Sequence, residues 1–178
     1  MKSLLSRWLE LAAASYPEAP ALIFEGKVYS FSALLSAKPD TLPERLTMLQ
    51  KQADLPGIAE LLITTSGSTG VPKQVMLSEA NLEAAVRASQ SRIPLKPGDI
   101  WLACLPLQHI GGIAIFYRCA EAGATTLLHQ GFDAAKVRHD MERHGVTHIS
   151  LVPAMLARLL ESGPPPAQLA YALIGGGP

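Results

Sequence analysis

The chemistry in this sequence is concentrated in one loop, which is rich in hydroxyl groups and glycine and lies between two apolar stretches. It reads Thr65-Ser-Gly-Ser-Thr-Gly-Val-Pro-Lys73. Gly67 and Gly70 let backbone N–H groups approach an anion because no Cβ stands in the way. Hydroxyl donors are added by Thr65, Ser66, Ser68 and Thr69. Lys73 supplies a positive charge, so the composition predicts a loop that binds phosphate.

Two other readings of this loop are available. A Walker A loop has four residues between its glycines and ends in Gly-Lys-Ser/Thr, whereas here Gly67 and Gly70 enclose two residues and Pro72 precedes Lys73. A solvent-exposed Gly/Ser linker is the second alternative. The loop directly follows an apolar strand, and the apolar pattern resumes at Val75-Met-Leu77, which favours phosphate binding over a linker.

From residue 58 onward, apolar runs of strand length alternate with amphipathic stretches of helix length. These elements must position the loop. Strands are predicted at Glu60–Thr64, Gln74–Leu77, Ile100–Cys104, Thr125–Leu128, His148–Leu151 and Tyr171–Ile174. Helices are predicted at Glu79–Gln90, Gly112–Ala122, Ala134–His144 and Ala154–Glu161. This alternation predicts an α/β fold, with a mainly parallel sheet flanked by helices.

The N-terminal part of the chain has a different pattern and is predicted as a segment of its own. The segment from residue 3 to residue 14 predicts an amphipathic helix, whose apolar stripe is formed by Leu4, Leu5, Trp8, Leu9, Leu11 and Ala12. Residues 21–30 predict a hairpin that turns at Gly26, with a helix start at Ser30 or Ser32. Prolines punctuate the stretch that follows and predict a linker with one short helix. The predicted organisation is residues 1–37 as helix and hairpin, 38–57 as linker, and 58–178 as an α/β region.

The composition of the chain limits the classes of binding partner and the cellular compartment that we expect. Fifteen Lys and Arg balance fifteen Asp and Glu, so no net field attracts a nucleic acid. The first apolar stretch is interrupted by Arg7 and Glu10, which excludes a signal-peptide core and a membrane span there. Cys104 and Cys119 lie in apolar surroundings and are expected to be buried, reduced thiols. These features predict a cytoplasmic protein, and they leave a homodimer open.

The loop from Thr65 to Lys73 resembles, residue for residue, the signature loop of the adenylate-forming superfamily of acyl-CoA synthetases, adenylation domains and luciferases. Further similar segments follow in the family's order: Leu77-Ser78 with Asn81-Leu82, Cys104–His109, Gly123-Ala124, Val146–Pro153 and Leu173–Pro178. Within the superfamily, residues 109–112, 150–153 and 159–160 look closest to the 2-succinylbenzoate–CoA ligases of menaquinone synthesis. The resemblance runs from about residue 58 to the end, and implies a partial N-terminal domain of that ligase fold.

The resemblance implies an AMP-forming acid–CoA ligase, which joins a carboxylate to the AMP moiety of ATP and then passes the acyl group to coenzyme A. ATP, Mg²⁺ and coenzyme A would be its cofactors, and an aryl or acyl acid its substrate. The loop and Lys73 would brace the leaving pyrophosphate, and His109 would act at the acyl carboxylate. The implied nucleotide-binding residues are Thr65, Ser66, Gly67, Ser68, Thr69, Gly70, Lys73, Gly175, Gly176 and Gly177. Without the resemblance, His109 is read as a core or capping histidine, and the three glycines as a turn.

The resemblance is also partial. Family members carry many more residues between Tyr29 and Thr65, and continue past Pro178 into a ribose-binding Asp and a C-terminal domain with a catalytic Lys. The chain is therefore expected to be an incomplete ligase. The alternative is a non-catalytic remnant that binds nucleotide or acyl group, or a fragment that needs a partner segment.

The sequence also allows predictions for a glutamate and three histidines outside the loop. Glu79 follows the loop closely, and a lone carboxylate there would weaken ATP binding by repulsion. His139, His144 and His148 span a predicted helix end and a strand, so they are expected to be surface or capping residues rather than a metal site. No residue of the chain is predicted to be a metal ligand.

Overall fold

The computed structural model describes residues 2–38, 59–65 and 73–176, with the backbone alone at Thr65. Apart from Lys38, the predicted linker of residues 38–57 lies outside the described residues. Six predicted binding residues also lie outside them: Ser66, Gly67, Ser68, Thr69, Gly70 and Gly177.

Helices and strands alternate along most of the described chain. The helices are α1 (Leu4–Ser15), α2 (Phe31–Ser36), α3 (Glu79–Arg92), α4 (Ile110–Ala122), α5 (Ala134–His144) and α6 (Pro153–Leu160). The strands are β1 (Pro20–Phe24), β2 (Lys27–Ser30), β3 (Ala59–Thr65), β4 (Lys73–Ser78), β5 (Ile100–Ala103), β6 (Thr125–Leu128), β7 (His148–Leu151) and β8 (Tyr171–Ile174).

Six strands form the main sheet, in the order β2-β1-β6-β5-β7-β8. Strand β2 is antiparallel to β1, and every other neighbouring pair is parallel. All four residues of β6 and of β7 are buried, as expected for parallel strands that are covered on both faces. Helix α4 packs on one face through Ile115 and Phe116, and α5 packs on the other through Val137 and Met141. The predicted α/β fold with a mainly parallel sheet is confirmed.

Strands β3 and β4 lie outside this sheet and form a two-stranded antiparallel sheet of their own. A connection as short as residues 66–72 returns the chain antiparallel, because a parallel pair needs a crossover of about a dozen residues or more. The N-terminal hairpin, in contrast, joins the main sheet, where β1 lies parallel to β6. Residues of the first and third predicted segments therefore share one sheet, and the three-part division of the chain stays a prediction.

The ends of the elements follow from local capping. The Asp133 side chain accepts a hydrogen bond from the Lys136 N–H at 2.7 Å and starts α5, and Gly145, with φ of 67°, ends it. The predicted bounds of this helix agree with the structure for that reason. The helix start predicted at Ser30 or Ser32 is resolved in favour of Ser30, whose side chain caps α2.

One expectation about the core is wrong. His148 was expected at the surface or at a cap, but it is buried between Trp101 and Tyr171, with ring centroids 5.2 and 5.0 Å away. The register of the sheet explains this position, because His148 is paired with Trp101 on one neighbouring strand and with Tyr171 on the other. The burial of Cys104 and Cys119 without a disulfide agrees with the sequence.

Candidate functional site

Strands β3 and β4 hold the two ends of the predicted phosphate loop side by side. Thr65 and Lys73 are paired residues of the antiparallel ladder, and Thr64 lies opposite Gln74. The chain therefore leaves β3 and enters β4 at adjacent positions. Lys73 is the first residue of β4, and its side chain is exposed. An exposed ammonium at the loop end of a hairpin is suitably placed for an anionic ligand.

The opposite end of this hairpin is held by helix α1. The Leu4 N–H donates to Glu60 Oε1 at 2.8 Å, and the Tyr117 hydroxyl donates to the same oxygen at 3.4 Å. Arg7 forms an ion pair with Glu79, which directly follows β4. The expectation that Glu79 is a lone carboxylate is therefore wrong, since its charge is compensated. No sequence motif marks Arg7 and Glu60, because 72 and 56 residues separate them from their partners.

Charge and burial at this end of the hairpin shift two ionisable groups. Burial raises the pKa of Glu60 above its ordinary value, although the N–H groups of Leu5 and Leu4 oppose the shift. The hydrogen bond to Glu79 raises the pKa of Arg7, and burial opposes that shift. Arg7 therefore stays charged wherever the neighbouring carboxylates are ionised.

His109 lies at the carboxyl end of β5, at the junction with helix α4. Its backbone carbonyl accepts from the Gly112 N–H at 3.0 Å, but its side chain makes no capping hydrogen bond and is exposed. His109 is thus no core residue, and the imidazole is available to a ligand. The turn before it is tight, because a Cβ on Gly112 would lie 2.4 Å from the Pro106 carbonyl oxygen.

Gly175 and Gly176 follow β8 at the same edge of the sheet as His109, since β5, β7 and β8 are parallel. The Gly175 N–H donates to the Leu151 carbonyl at 3.1 Å, and Gly176 has φ of 70°. Both residues are exposed, and nothing lies within 4 Å of the position of a Cβ on Gly175. In open α/β sheets, ligands bind outside the carboxyl ends of the strands. The structure therefore gathers His109, Gly175 and Gly176 at the edge where a ligand is expected.

Helix α4 connects this edge to the hairpin of β3 and β4. It begins directly after His109, and its Ile113 and Tyr117 share a buried cluster with Leu61 and Ile63 of β3. Helix α4 thus adjoins His109 at its start and packs against the strand that leads to the predicted loop. Their individual roles stay predictions.

A second polar feature lies at the carboxyl ends of β1 and β6, where a cavity of about 430 Å³ opens beside α5. His129 Nε2 lies 3.1 Å from Asp140 Oδ2, and Lys136 Nζ lies 3.4 Å from the same oxygen. Burial lowers the pKa of His129, and the Asp140 charge opposes this shift. This pair was not among the predicted site residues, although an aspartate between Val137 and Met141 on an apolar stripe is a detectable signal.

Residues 2–38, 59–65 and 73–176 contain neither a metal-binding cluster nor a membrane-spanning helix. In these ranges, no group of three or more His, Cys, Asp or Glu side chains could hold a metal ion. None of the helices in the same ranges combines the length and the apolar character needed to cross a membrane.

The chain is similar in sequence to a known protein family and to several curated proteins. The model of the AMP-binding enzyme family matches residues 43–178. The 2-succinylbenzoate–CoA ligase of Bacillus cereus strain AH820 is 36% identical over 161 residues, which is 87% of this chain and 32% of that protein. The ligase of the same name from Bacillus pumilus strain SAFR-032 is 36% identical over 85% of this chain and 30% of its own length. The chain thus spans about a third of the length of these relatives.

Solved structures give the same fold. O-succinylbenzoate coenzyme A synthetase (MenE) from Bacillus subtilis in complex with AMP aligns with a TM-score of 0.79 at 24% identity, covering 96% of this chain and 68% of that chain. The same enzyme in complex with ATP and magnesium ion aligns with a TM-score of 0.77 at 24% identity, covering 96% of this chain and 55% of that one. With a family model that matches most of its length, the chain belongs to the AMP-binding enzyme family.

Proposed function

We propose that this chain is the nucleotide- and acyl-binding part of an AMP-forming acid–CoA ligase that acts on 2-succinylbenzoate. The observation that carries the proposal is the β3–β4 hairpin, which holds Thr65 and Lys73 in register and packs on the helix that follows His109. The relatives named as 2-succinylbenzoate–CoA ligases support the substrate.

In this reaction class a carboxylate oxygen attacks the α-phosphorus of ATP, and pyrophosphate leaves. The thiol of coenzyme A then attacks the acyl carbon, and AMP leaves. Lys73 would bind the β- and γ-phosphates, together with Thr65, Ser66, Gly67, Ser68, Thr69 and Gly70. Mg²⁺ would be held largely by phosphate oxygens and water, and would neutralise charge on the leaving pyrophosphate.

His109, Gly175 and Gly176 would form the other half of the site. The exposed imidazole of His109 would donate a hydrogen bond to the substrate carboxylate and orient it toward the nucleotide. The exposed backbone at Gly175 and Gly176, continued by Gly177, would let the adenine and the acyl group lie flat against the strand end. Coenzyme A would enter after the adenylate has formed.

The second candidate is a non-catalytic module that binds nucleotide without turnover. It would share with the ligase the hairpin that holds Thr65 and Lys73 in register, since binding alone needs no adenylation. Exchange of labelled pyrophosphate into ATP in the presence of 2-succinylbenzoate separates the two, because exchange requires adenylation. Exchange establishes the ligase half-reaction, and ATP binding without exchange establishes the module. A chain that neither binds ATP nor catalyses exchange contradicts both.

Two further features of the proposal come from the sequence. We propose a cytoplasmic location, and both a monomer and a homodimer are compatible with the sequence. Light scattering on the purified chain distinguishes a monomer from a homodimer.

A further inference from the structure

The first two turns of α1 contact both strands of the hairpin that carries Lys73. We call residues 59–60 and 78–79 the hairpin base, because Ala59 pairs with Ser78 at the end opposite Thr65 and Lys73. The Glu60 carboxylate accepts from the Leu4 N–H at 2.8 Å, and Glu79 is paired with Arg7. One helix therefore holds the start of β3 and the end of β4.

The charges at the hairpin base depend on Arg7. Glu79, Glu60 and Glu83 all favour its charged form and raise its pKa. Among themselves these carboxylates repel, since the charge of Glu79 contributes to the raised pKa of Glu60. The positive end of the α1 macrodipole also stabilises the Glu60 carboxylate. Removal of Arg7 would leave like charges facing one another at the base.

Apolar packing adds a second attachment between α1 and the hairpin. Leu4 is buried in a cluster with Leu61 and Ile63, and Trp8 packs edge-on against Tyr117 of α4, with ring centroids 6.3 Å apart. Toward the loop, in contrast, the residues of β4 from 73 to 76 are exposed. The hairpin is thus fixed at its base and along one face.

We propose that Arg7 is a positioning residue for nucleotide binding, because its pairing with Glu79 sets the direction in which the hairpin presents Lys73. The inference rests on the proposed function. Strand β4 rises by about 3.3 Å per residue, so Lys73 stands roughly 17 Å from the base. A rotation of roughly 5° at the base would therefore move Lys73 by about 1.5 Å, and a displacement of about 1 Å is enough to impair catalysis strongly.

The test compares ATP affinity among folded variants of the whole chain. Isothermal calorimetry with ATP and Mg²⁺ is run on the wild type, on Arg7→Ala, and on a reversed pair that combines Arg7→Glu with Glu79→Arg. Lys2→Ala is the matched control, because it breaks the exposed pair of Lys2 with Glu10 on the same helix, whose N–O distance is 2.6 Å. Circular dichroism verifies that each variant is folded at the temperature used.

We expect Arg7→Ala to weaken ATP binding about 3- to 10-fold, which lies within the range for residues that act on a site through packed elements. Lys2→Ala should retain wild-type affinity, and the reversed pair should recover most of the loss. A purely structural role for Arg7 would lower the melting temperature but leave the affinity of the folded fraction unchanged.

The outcomes separate this inference from the proposed function. If the wild type binds ATP and folded Arg7→Ala binds equally well, the positioning role is contradicted and the proposed function stands. An equal loss in Lys2→Ala contradicts the positioning role as well. If the wild type binds no ATP, both proposals fail. If Arg7→Ala does not fold, the reversed pair decides. A reversed pair that folds but binds ATP weakly contradicts the positioning role. A reversed pair that folds and binds ATP with near wild-type affinity supports it.

Discussion

Among single residues, Lys73 carries the largest share of the proposed nucleotide binding. We expect Lys73→Ala to weaken ATP affinity by about 1–3 kcal/mol, the range for loss of one charge-assisted contact. Calorimetric titration with ATP and Mg²⁺ measures the change. Lys27→Ala, which removes an exposed lysine from β2 in the main sheet, is the control and should bind as the wild type does. Equal affinities for Lys73→Ala and the wild type would contradict the assignment of the loop.

His109 is the residue that we propose to bind the substrate carboxylate. We expect His109→Ala to bind an aryl carboxylate, or its adenylate, about tenfold more weakly, since a hydrogen bond to a charged group contributes about 1.5 kcal/mol or more. The matched control is His139→Ala, which removes another exposed imidazole, on α5. If the two variants bind the ligand equally, His109 has no role at the carboxylate.

Candidate binding residues could be predicted where they follow one another along the chain. The phosphate loop could be proposed because hydroxyls, glycines and a lysine follow one another between residues 65 and 73. The pairs of Arg7 with Glu79 and of Glu60 with the Leu4 N–H could not, because no local pattern marks two residues that meet only after α1 docks on the hairpin. For the same reason, the compensation of the Glu79 charge was invisible in the sequence.

For the elements, local signals gave their types and often their ends. Strands β6, β7 and β8 and helix α5 have the predicted bounds, since caps and short apolar runs fix them. The sheet to which β3 and β4 belong was not predictable, because periodicity reports that a strand exists but gives no information about its partner. His148 was misjudged for a related reason, since only the register of β5, β7 and β8 brings Trp101 and Tyr171 against it.

The start of helix α4 offers a sharp test of packing. A Cβ on Gly112 would lie 2.4 Å from the Pro106 carbonyl oxygen, whereas one on Gly111 would make an ordinary contact of 3.4 Å with the Leu105 side chain. We expect Gly112→Ala to lower the free energy of unfolding by about 1–3 kcal/mol, because the backbone must shift. Gly111→Ala should be neutral or stabilising, since alanine favours the helix. Urea denaturation measures both, and equal stabilities would contradict the close approach.

In the molecule as a whole, buried histidines tie stability to pH. Burial lowers the pKa of His148 below its ordinary value, with its contact to the Pro94 carbonyl opposing, and burial lowers that of His129. As the pH falls, these two histidines are therefore protonated at a higher pH in the unfolded chain than in the folded one. The free energy of unfolding should decrease as the pH drops below about 6.5, and should stop decreasing below the pKa values of the folded chain.

The contribution of His148 can be isolated by substitution. His148→Phe keeps an aromatic ring between Trp101 and Tyr171 but cannot be protonated. We expect its free energy of unfolding, measured by urea at pH 7.5 and 5.5, to change less with pH than that of the wild type. His139→Ala should keep the wild-type dependence, because that imidazole is exposed. An unchanged dependence in His148→Phe would show that His148 takes no part in the linkage.

The parallel pairing of β1 with β6 has a consequence for synthesis on the ribosome. The Thr125 hydroxyl donates to the Pro20 carbonyl across 105 residues of sequence, so one edge of β1 is completed only after that much more polypeptide has been translated. At about 5–20 residues per second, the nascent strand waits roughly 5 to 20 seconds for its neighbour. Its apolar residues are the natural target for a chaperone during that interval, and slowing translation before codon 125 would lengthen their exposure.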